Sequence, residues 1–403
     1  MAAYSDREHF IPVRCTDLID VLAADKGLTP EQAMTPADQQ QFRHFANLLM
    51  DHFHRENHIR LLKLKDAYAP FDPDADTKVL RTLTPEQRTT EQNQLFEEFS
   101  GLLERANYHR MTREEIGKAM EGASFWGINM SVDWSVFDRI EIYNRGASVG
   151  QRYKRHWLKK WQKIQIPVPI FQRLAVIVKQ TKHKRLGKNA DTEHIFLKLF
   201  KEIPQMDLEM LLPGTRIKMH FIDRGKLGAS ALGSIGYVGW KISEFSLAIL
   251  KMGFWALYAP IMLVFGYAYK TWAGFTSTRQ TYMLQLTQSL YYQNLDNNGG
   301  VMYRLLDEAE EQESRETMLA YFYLWRYTQE RAWTAVELDD FVELDLEKKL
   351  NMPVDFEIGD ALEKLDRLQF LVKDGDRFRV RPIELAINML EDSRGIGGTV
   401  RVG

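Results

Sequence analysis

Hydrophobic positions along the chain change period twice, and the two changes outline the fold. From about residue 15 to residue 121 the pattern is helical. Between Gln39 and Leu64, apolar residues stand at Phe42, Phe45, Leu48, Leu49 and Phe53, close to the 3.6-residue spacing that turns one stripe toward a core. Arg60, Lys63 and Lys65 follow, where the negative end of the helix dipole favours cations. Thr84-Pro85-Glu86 reads as an N-cap followed by proline at the first helical position, where a missing donor costs nothing. Thr112 and Glu115 stand at capping-box spacing. Pro70, Pro73 and the acidic residues around them break this helical region.

Between residues 123 and 222 the period falls to two. Phe137 to Tyr143 alternates apolar and charged residues, as a half-buried strand does. Ile164–Pro169, Leu174–Val178, Ile195–Phe200 and Thr215–Phe221 are further strand candidates, rich in Ile, Val and Phe. A short helix over Pro204 to Leu211 should end at Pro213-Gly214. Together these segments predict a compact, mostly antiparallel β domain.

After residue 276 the pattern is helical again. It predicts a helix over Thr278–Tyr292, a turn or C-cap at Asn297-Asn298-Gly299-Gly300, and a second helix over Val301–Tyr327. Helices over 334–349 and 355–368 follow, then strands Gln369–Lys373 and Arg377–Arg381 around Asp374-Gly375-Asp376. Two helices and an Asp-Gly hairpin are the parts of a winged helix.

The stretch between the β region and the second helical region is the most apolar. Met252 to Tyr269 is 18 residues without a charge, the length at which a transmembrane helix becomes the leading reading. Leu227 to Trp240 is also uncharged, with Gly228, Gly233, Gly236 and Gly239 as small residues that let helix backbones approach. Arg224, Lys226, Lys270 and Arg279 make both flanks basic, which assigns both to one side of a membrane and predicts a hairpin, 227–248 in and 252–270 back. A buried helical hairpin in a soluble core is the competing reading. The expected architecture is therefore α+β in five parts. A helical N-terminal region (1–122) and a basic β domain (123–222) precede a transmembrane hairpin (223–275). A helical pair (276–332) and a winged-helix-like domain (333–403) follow it.

Composition adds little to this outline. A hydrophobic fraction of 45% and a charged fraction of 27% in 403 residues are ordinary for folded protein. The one cysteine, Cys15, excludes an internal disulfide. Charge segregation is more telling than the net charge of −2. From Ile142 to Ala190 there is no Asp or Glu among 49 residues but thirteen Lys or Arg. They include Arg152, Lys154, Arg155, Lys159, Lys160, Lys163, Lys182, Lys184 and Arg185, interleaved with Tyr153, Trp157 and Trp161. This mixture fits anionic lipid headgroups or nucleic acid, or a strand face balanced by acids elsewhere in the fold. Lipid is the favoured contact, and nucleic acid the least favoured.

Acids concentrate further on. Asp307, Glu308, Glu310, Glu311, Glu313 and Glu316 crowd one helix, and between Thr334 and Leu368 eleven acids face four bases. That excess repels phosphates, so a winged helix here is expected to bind protein. The densest polar group, Gln285 to Asn298, includes Gln288, Tyr292, Asn294, Asp296 and Asn298. It is a candidate binding site, and with Glu308 or Glu311 a candidate catalytic one. The competing reading is a helix end satisfied by its own side chains. His54 and His58 stand one helical turn apart, but the HExxH order is absent. Neither a metal nor a cofactor is expected, and no motif names a reaction.

Two long blocks carry a resemblance. LKLFKEIPQMDLEMLLPGTRIKM (197–219) and LTQSLYYQNLDNNGGVMYRLLDEAEEQE (286–313) resemble the signature blocks of an uncharacterised family of bacteria and plants that includes the vertebrate mitochondrial transmembrane protein 143. The resemblance covers about residues 130–385 and implies two transmembrane segments, with no established reaction, cofactor or catalytic residue. Residues 1–20 include acids, unlike a mitochondrial presequence. The expectation is a bacterial inner-membrane scaffold or regulatory protein with cytoplasmic soluble domains. Its partners would be the lipid bilayer, a protein and, as a further candidate, a second copy of itself.

Overall fold

The computed structural model describes residues 10–27, 33–78, 80–124, 129–155, 163–187, 190–213, 216–218, 291–328, 331–351 and 353–396, with scattered positions from 262 to 287. Its N-terminal helices are α1 (Cys15–Ala23), α2 (Pro36–Tyr68), α3 (Pro85–Arg105) and α4 (Arg113–Ser124). At 33 residues, α2 is about 50 Å long. A capping box starts it, with Asp38 N donating to Thr35 Oγ1 at 3.2 Å and Thr35 N to Asp38 Oδ2 at 3.1 Å. Thr84–Gln87 and Thr112–Glu115 form the same device for α3 and α4, each satisfying two otherwise orphaned donors.

The sheet has five strands in the order β1-β3-β4-β5-β7, antiparallel throughout. They are β1 (His109–Arg110), β3 (Phe137–Arg155), β4 (Lys163–Gln180), β5 (Ile195–Pro204) and β7 (Asn294–Asn297). A small separate pair joins β2 (Asn129–Ser131) to β6 (Arg216–Lys218). The candidates 164–169 and 174–178 are one continuous strand, and the candidate ending at Tyr143 runs on to Arg155. The expected short helix is present as a 3-10 helix over Gln205–Leu211.

Alternation along the strands divides the residues between two cores. Tyr143, Ala175, Ile177, Leu197 and Leu199 pack with α3 and the C-terminal half of α2. On the other face, Ile142, Leu174, Val176, Val178 and Phe200 pack with Ile116 and Ala119 of α4 and with Leu208.

The C-terminal part comprises α5 (Gly299–Tyr327), β8 (Trp333–Thr334), α6 (Ala335–Leu350) and α7 (Ile358–Arg367), followed by β9 (Leu371–Asp374), β10 (Arg377–Val380) and α8 (Ile383–Ile396). The two helices and the hairpin at Gly375 lie where they were expected, and β8 adds a third strand in the order β8-β10-β9. They share one core with α1, α2 and α5: Phe42, Phe45, Leu338, Leu365, Phe370 and Ala386 are all part of it.

One helix, α5, belongs to both large cores. Val301, Met302, Leu305, Leu306 and Ala309 face the sheet core, and Met318 to Leu324 the C-terminal core. Between them, Gln312, Glu313, Ser314, Arg315, Glu316 and Thr317 are all buried, a polar waist where the two cores meet.

The expected membrane hairpin is corrected. Among the described residues no helix is long and apolar enough to cross a membrane. The segments 227–248 and 252–270 that carried the expectation lie almost wholly outside the described residues. An uncharged run satisfies the hydropathy condition alone, and a continuous helix of spanning length is a separate requirement. The observed class is α+β with helices and antiparallel sheets. The transmembrane element, the two segments implied by the resemblance and the inner-membrane placement are all withdrawn with it.

Candidate functional site

The basic run divides into three parts in space. Pairing of β4 with β5 stops at Ile170↔Pro204, whereas pairing of β3 with β4 continues to Arg155↔Lys163. Residues 149–155 and 163–169 therefore form a two-stranded arm reaching about 20 Å past the five-stranded region. Val149 on the arm is 72% exposed. Arg152, Lys154, Arg155 and Lys163 lie on this arm, and Lys159 and Lys160 fall in its connection, outside the described residues.

Lys182, Lys184 and Arg185 follow the other end of β4. The 18 residues of β4 separate them from Lys163 by more than about 50 Å. Lys182 and Lys184 are exposed. Arg185 is held by Asp133, Nε to Oδ2 2.9 Å. The seven candidate cations among the described residues thus fall at the two ends of the β3–β4 pair, not in one patch.

The cations between these ends serve the fold. Lys179 lies 3.5 Å from Asp138. Arg145 donates to Ala106 O at 3.1 Å and pairs with Glu308 at 3.0 Å, its guanidinium 4.9 Å and 4.7 Å from the Phe10 and Tyr108 ring centroids. Arg173 lies 3.8 Å from the same carboxylate. Burial pushes the Tyr108 phenol far up, so it remains a donor and gives Glu308 a 2.7 Å hydrogen bond. Basic sheet and acidic helix therefore meet inside the molecule, at the base of the arm.

Most of the acidic run on α5 is engaged in the same way. Glu313 accepts from Asn57 at 3.3 Å and Arg60 at 3.4 Å. Glu316 accepts from Gln312 at 2.7 Å, from Asn107 at 3.2 Å and from the Lys364 ammonium. Glu310 meets His54 at 3.1 Å, and Glu311 pairs with Arg315. Arg315 donates to Ile11 O at 2.9 Å and ties the N-terminal segment to the waist. Among the described residues no group of His, Cys, Asp or Glu could hold a metal. The HFHRENH stretch instead offers His54 to Glu310.

The polar cluster has a structural use. Asn298, at φ 47°, ends β7 and caps α5. Its N–H reaches Leu197 O at 2.8 Å, its Oδ1 accepts from Leu197 N at 3.1 Å, and its amide meets Asp74 at 2.5 Å. Asn297 accepts from Lys198 at 2.7 Å, Asp296 from Arg304 at 3.1 Å, and Gln293 donates to Glu202 O at 2.9 Å. Asn294 pairs with Phe200. Tyr292 is 70% exposed and stands edge-on to Tyr291 at 5.1 Å. Gln288 lies outside the described residues. Of the expected turn or C-cap at Asn297–Gly300, the turn is present at Asn298, but it joins a strand end to a helix start, because pairing with β5 draws the preceding residues into the sheet.

Another buried carboxylate, missed in the sequence, joins the end of α1 to the C-terminal helices. Asp25 is 6% exposed and accepts from Tyr327 Oη at 2.8 Å and Lys349 Nζ at 2.8 Å. Burial alone would raise its carboxyl, but these two donors and the Arg326 guanidinium outweigh it and hold the pKa below the ordinary 3.8. A depressed folded pKa means stability that is present above the unfolded value and lost as pH falls through the folded one. Acid titration of stability below about pH 4 is therefore expected to be less steep in Asp25→Asn than in the unaltered chain. Parallel curves in urea unfolding would remove this role.

Among solved structures none matches this chain. Residues 138–300, which take in β3 through β7 and the start of α5, match the family described as Protein of unknown function (DUF3754).

Proposed function

We propose that the chain is an interaction protein, of scaffold or regulatory type, that holds an anionic surface with its β3–β4 arm and a protein with its C-terminal domain. The observation that carries this reading is the arm itself, a ribbon outside the sheet that bears Arg152, Tyr153, Lys154, Arg155 and Lys163. Register places Arg155 opposite Lys163, with Arg152 and Lys154 beside Ile166 and Ile164. Like charges directly opposite one another weaken a ladder, and an anionic partner removes that penalty. Alternating cations and aliphatic residues fit phospholipid headgroups, and such peripheral contact needs no helix that crosses a bilayer.

The C-terminal domain supports the second half. Asp340, Glu347, Asp360, Glu363 and Asp366 on α6 and α7 are exposed, and that face repels nucleic acid phosphates.

Flotation of the full chain with vesicles of phosphatidylglycerol and phosphatidylcholine tests the arm. Binding to the anionic vesicles is expected, with the triple change Arg152→Glu, Lys154→Glu and Arg155→Glu reducing it about a hundredfold, at about 1 kcal/mol per cation. Equal binding to neutral vesicles, or binding indifferent to the triple change, would overturn the reading. Salt-dependent retardation of DNA without vesicle binding would give the arm to nucleic acid instead.

A further inference from the structure

A small cavity far from the arm gathers two guanidiniums and an imidazole whose outward nitrogens are free of hydrogen bonds among the described residues. Its volume is about 330 Å³, and Arg81, Arg88 and His194 line it together with Pro70, Asp72 and Leu83. It lies where the segment after α2, the segment leading into α3 and the residue before β5 converge. That volume is at the small end of ligand pockets.

Each of the three side chains is fixed from behind. Arg88 donates through Nη2 to Pro70 O at 3.4 Å and Glu193 O at 2.7 Å, and its guanidinium lies 4.9 Å from the Phe71 ring centroid. Arg81 donates through Nη2 to Asp66 O at 3.2 Å and Glu91 at 3.0 Å. His194 engages Asp191 through Nδ1 at 2.7 Å. Among the described residues, Nη1 and Nε of both arginines and Nε2 of His194 make no hydrogen bond. Asp72 is the one acid in the lining, and its Oδ1 accepts from Asp74 N at 3.0 Å.

Two guanidiniums held by backbone carbonyls keep their remaining donors oriented, the arrangement that recognises an oxyanion. The carboxylate partner of Arg88, Glu193, is 72% exposed and 3.6 Å away, whereas Glu91, the partner of Arg81, is 27% exposed. An incoming anion can compete with a partner placed as Glu193 is, since exposed ion pairs are weak.

We propose that this cavity is a binding site for a small phosphate monoester. Arg81 and Arg88 take the phosphate oxygens, while His194 Nε2 and the free Asp72 oxygen offer further polar contacts, the Asp72 oxygen accepting from a hydroxyl of the ligand. The proposal stands apart from the arm, because the two sites share no residue.

Isothermal titration of the full chain with glycerol 3-phosphate, against chloride at equal ionic strength, is the test. Saturable heat is expected with the phosphate ester and none with chloride. Arg81→Gln removes an exposed side chain, 51% accessible, and should weaken binding about tenfold. His194→Gln should weaken it less. Arg88 also tethers α3 to the segment before β5, so Arg88→Lys serves there, with the unfolding midpoint measured alongside. No saturable heat in the unaltered chain, or unchanged affinity in Arg81→Gln at an unchanged midpoint, would overturn the site.

Discussion

Replacing Glu316 by alanine is expected to destabilise the protein by about 3–5 kcal/mol, the cost of leaving a buried charge without its partner. The Glu316 side chain is 2% exposed and that of Lys364 11%, so water cannot take over the lost contact. Gln312 and Asn107 lose an acceptor at the same time. Pairing two charges in a protein interior is not by itself favourable, because desolvation opposes the attraction. The double change Glu316→Leu with Lys364→Met is therefore expected to cost far less than either single change. Urea unfolding of the three variants decides the matter. If Glu316→Ala costs under about 1 kcal/mol, the waist of α5 is wetter than its burial indicates.

Phe45→Ala should cost about 3–5 kcal/mol, by lost transfer energy and the cavity left behind. Phe45 is fully buried on α2. Its ring lies 4.1 Å from Tyr321 of α5 and 5.9 Å from Phe370, next to β9. One ring thus joins an N-terminal helix to the C-terminal strands across more than 300 positions of sequence. Because that core is shared, the loss should appear in α2 and in α6 to α8 together. Hydrogen exchange resolved by segment reads this. Faster exchange confined to α2, with α6–α8 unchanged, would show that the C-terminal helices hold together without it.

These two residues mark the boundary of what was legible. Phe45 was visible as part of a helical stripe, because amphipathic periodicity is local and survives in one dimension. Its partner Tyr321 was not, because no period relates positions so far apart. In the sequence Glu316 is one of six acids crowding one helix, with no sign of which of them is buried. In the fold, cations from α2, β3, β4 and α7 turn most of that acidic run inward. The long β3–β4 ribbon was partly legible: both strands were seen, but the break between 164–169 and 174–178 was drawn where alternation weakens around Phe171 and Arg173. What made one patch of the nine cations was their nearness in sequence; strand geometry sets Lys163 and Lys182 apart at opposite ends of β4.

The short strand β7 shows the opposite case. Asn-Leu-Asp-Asn has poor strand propensity, and only the hydrogen bonds offered by β5 and the left-handed Asn298 place it in the sheet. The cavity at Arg81, Arg88 and His194 was invisible for the same reason. Its residues come from three segments, and nothing in their spacing brings them together.

The order of residues alone settled the local matters: helix starts at Thr84 and Thr112, the amphipathic face of α2, the two-residue strand period after residue 136, and the Asp-Gly hairpin. Each depends on hydrogen bonds and side-chain periods that span a few residues. Tertiary structure decided the rest: which charges are buried, that α5 bridges two cores, that the basic run has two ends, and that β7 is a strand. These depend on desolvation and on pairing between distant segments, energies that exist only once the chain has folded back on itself.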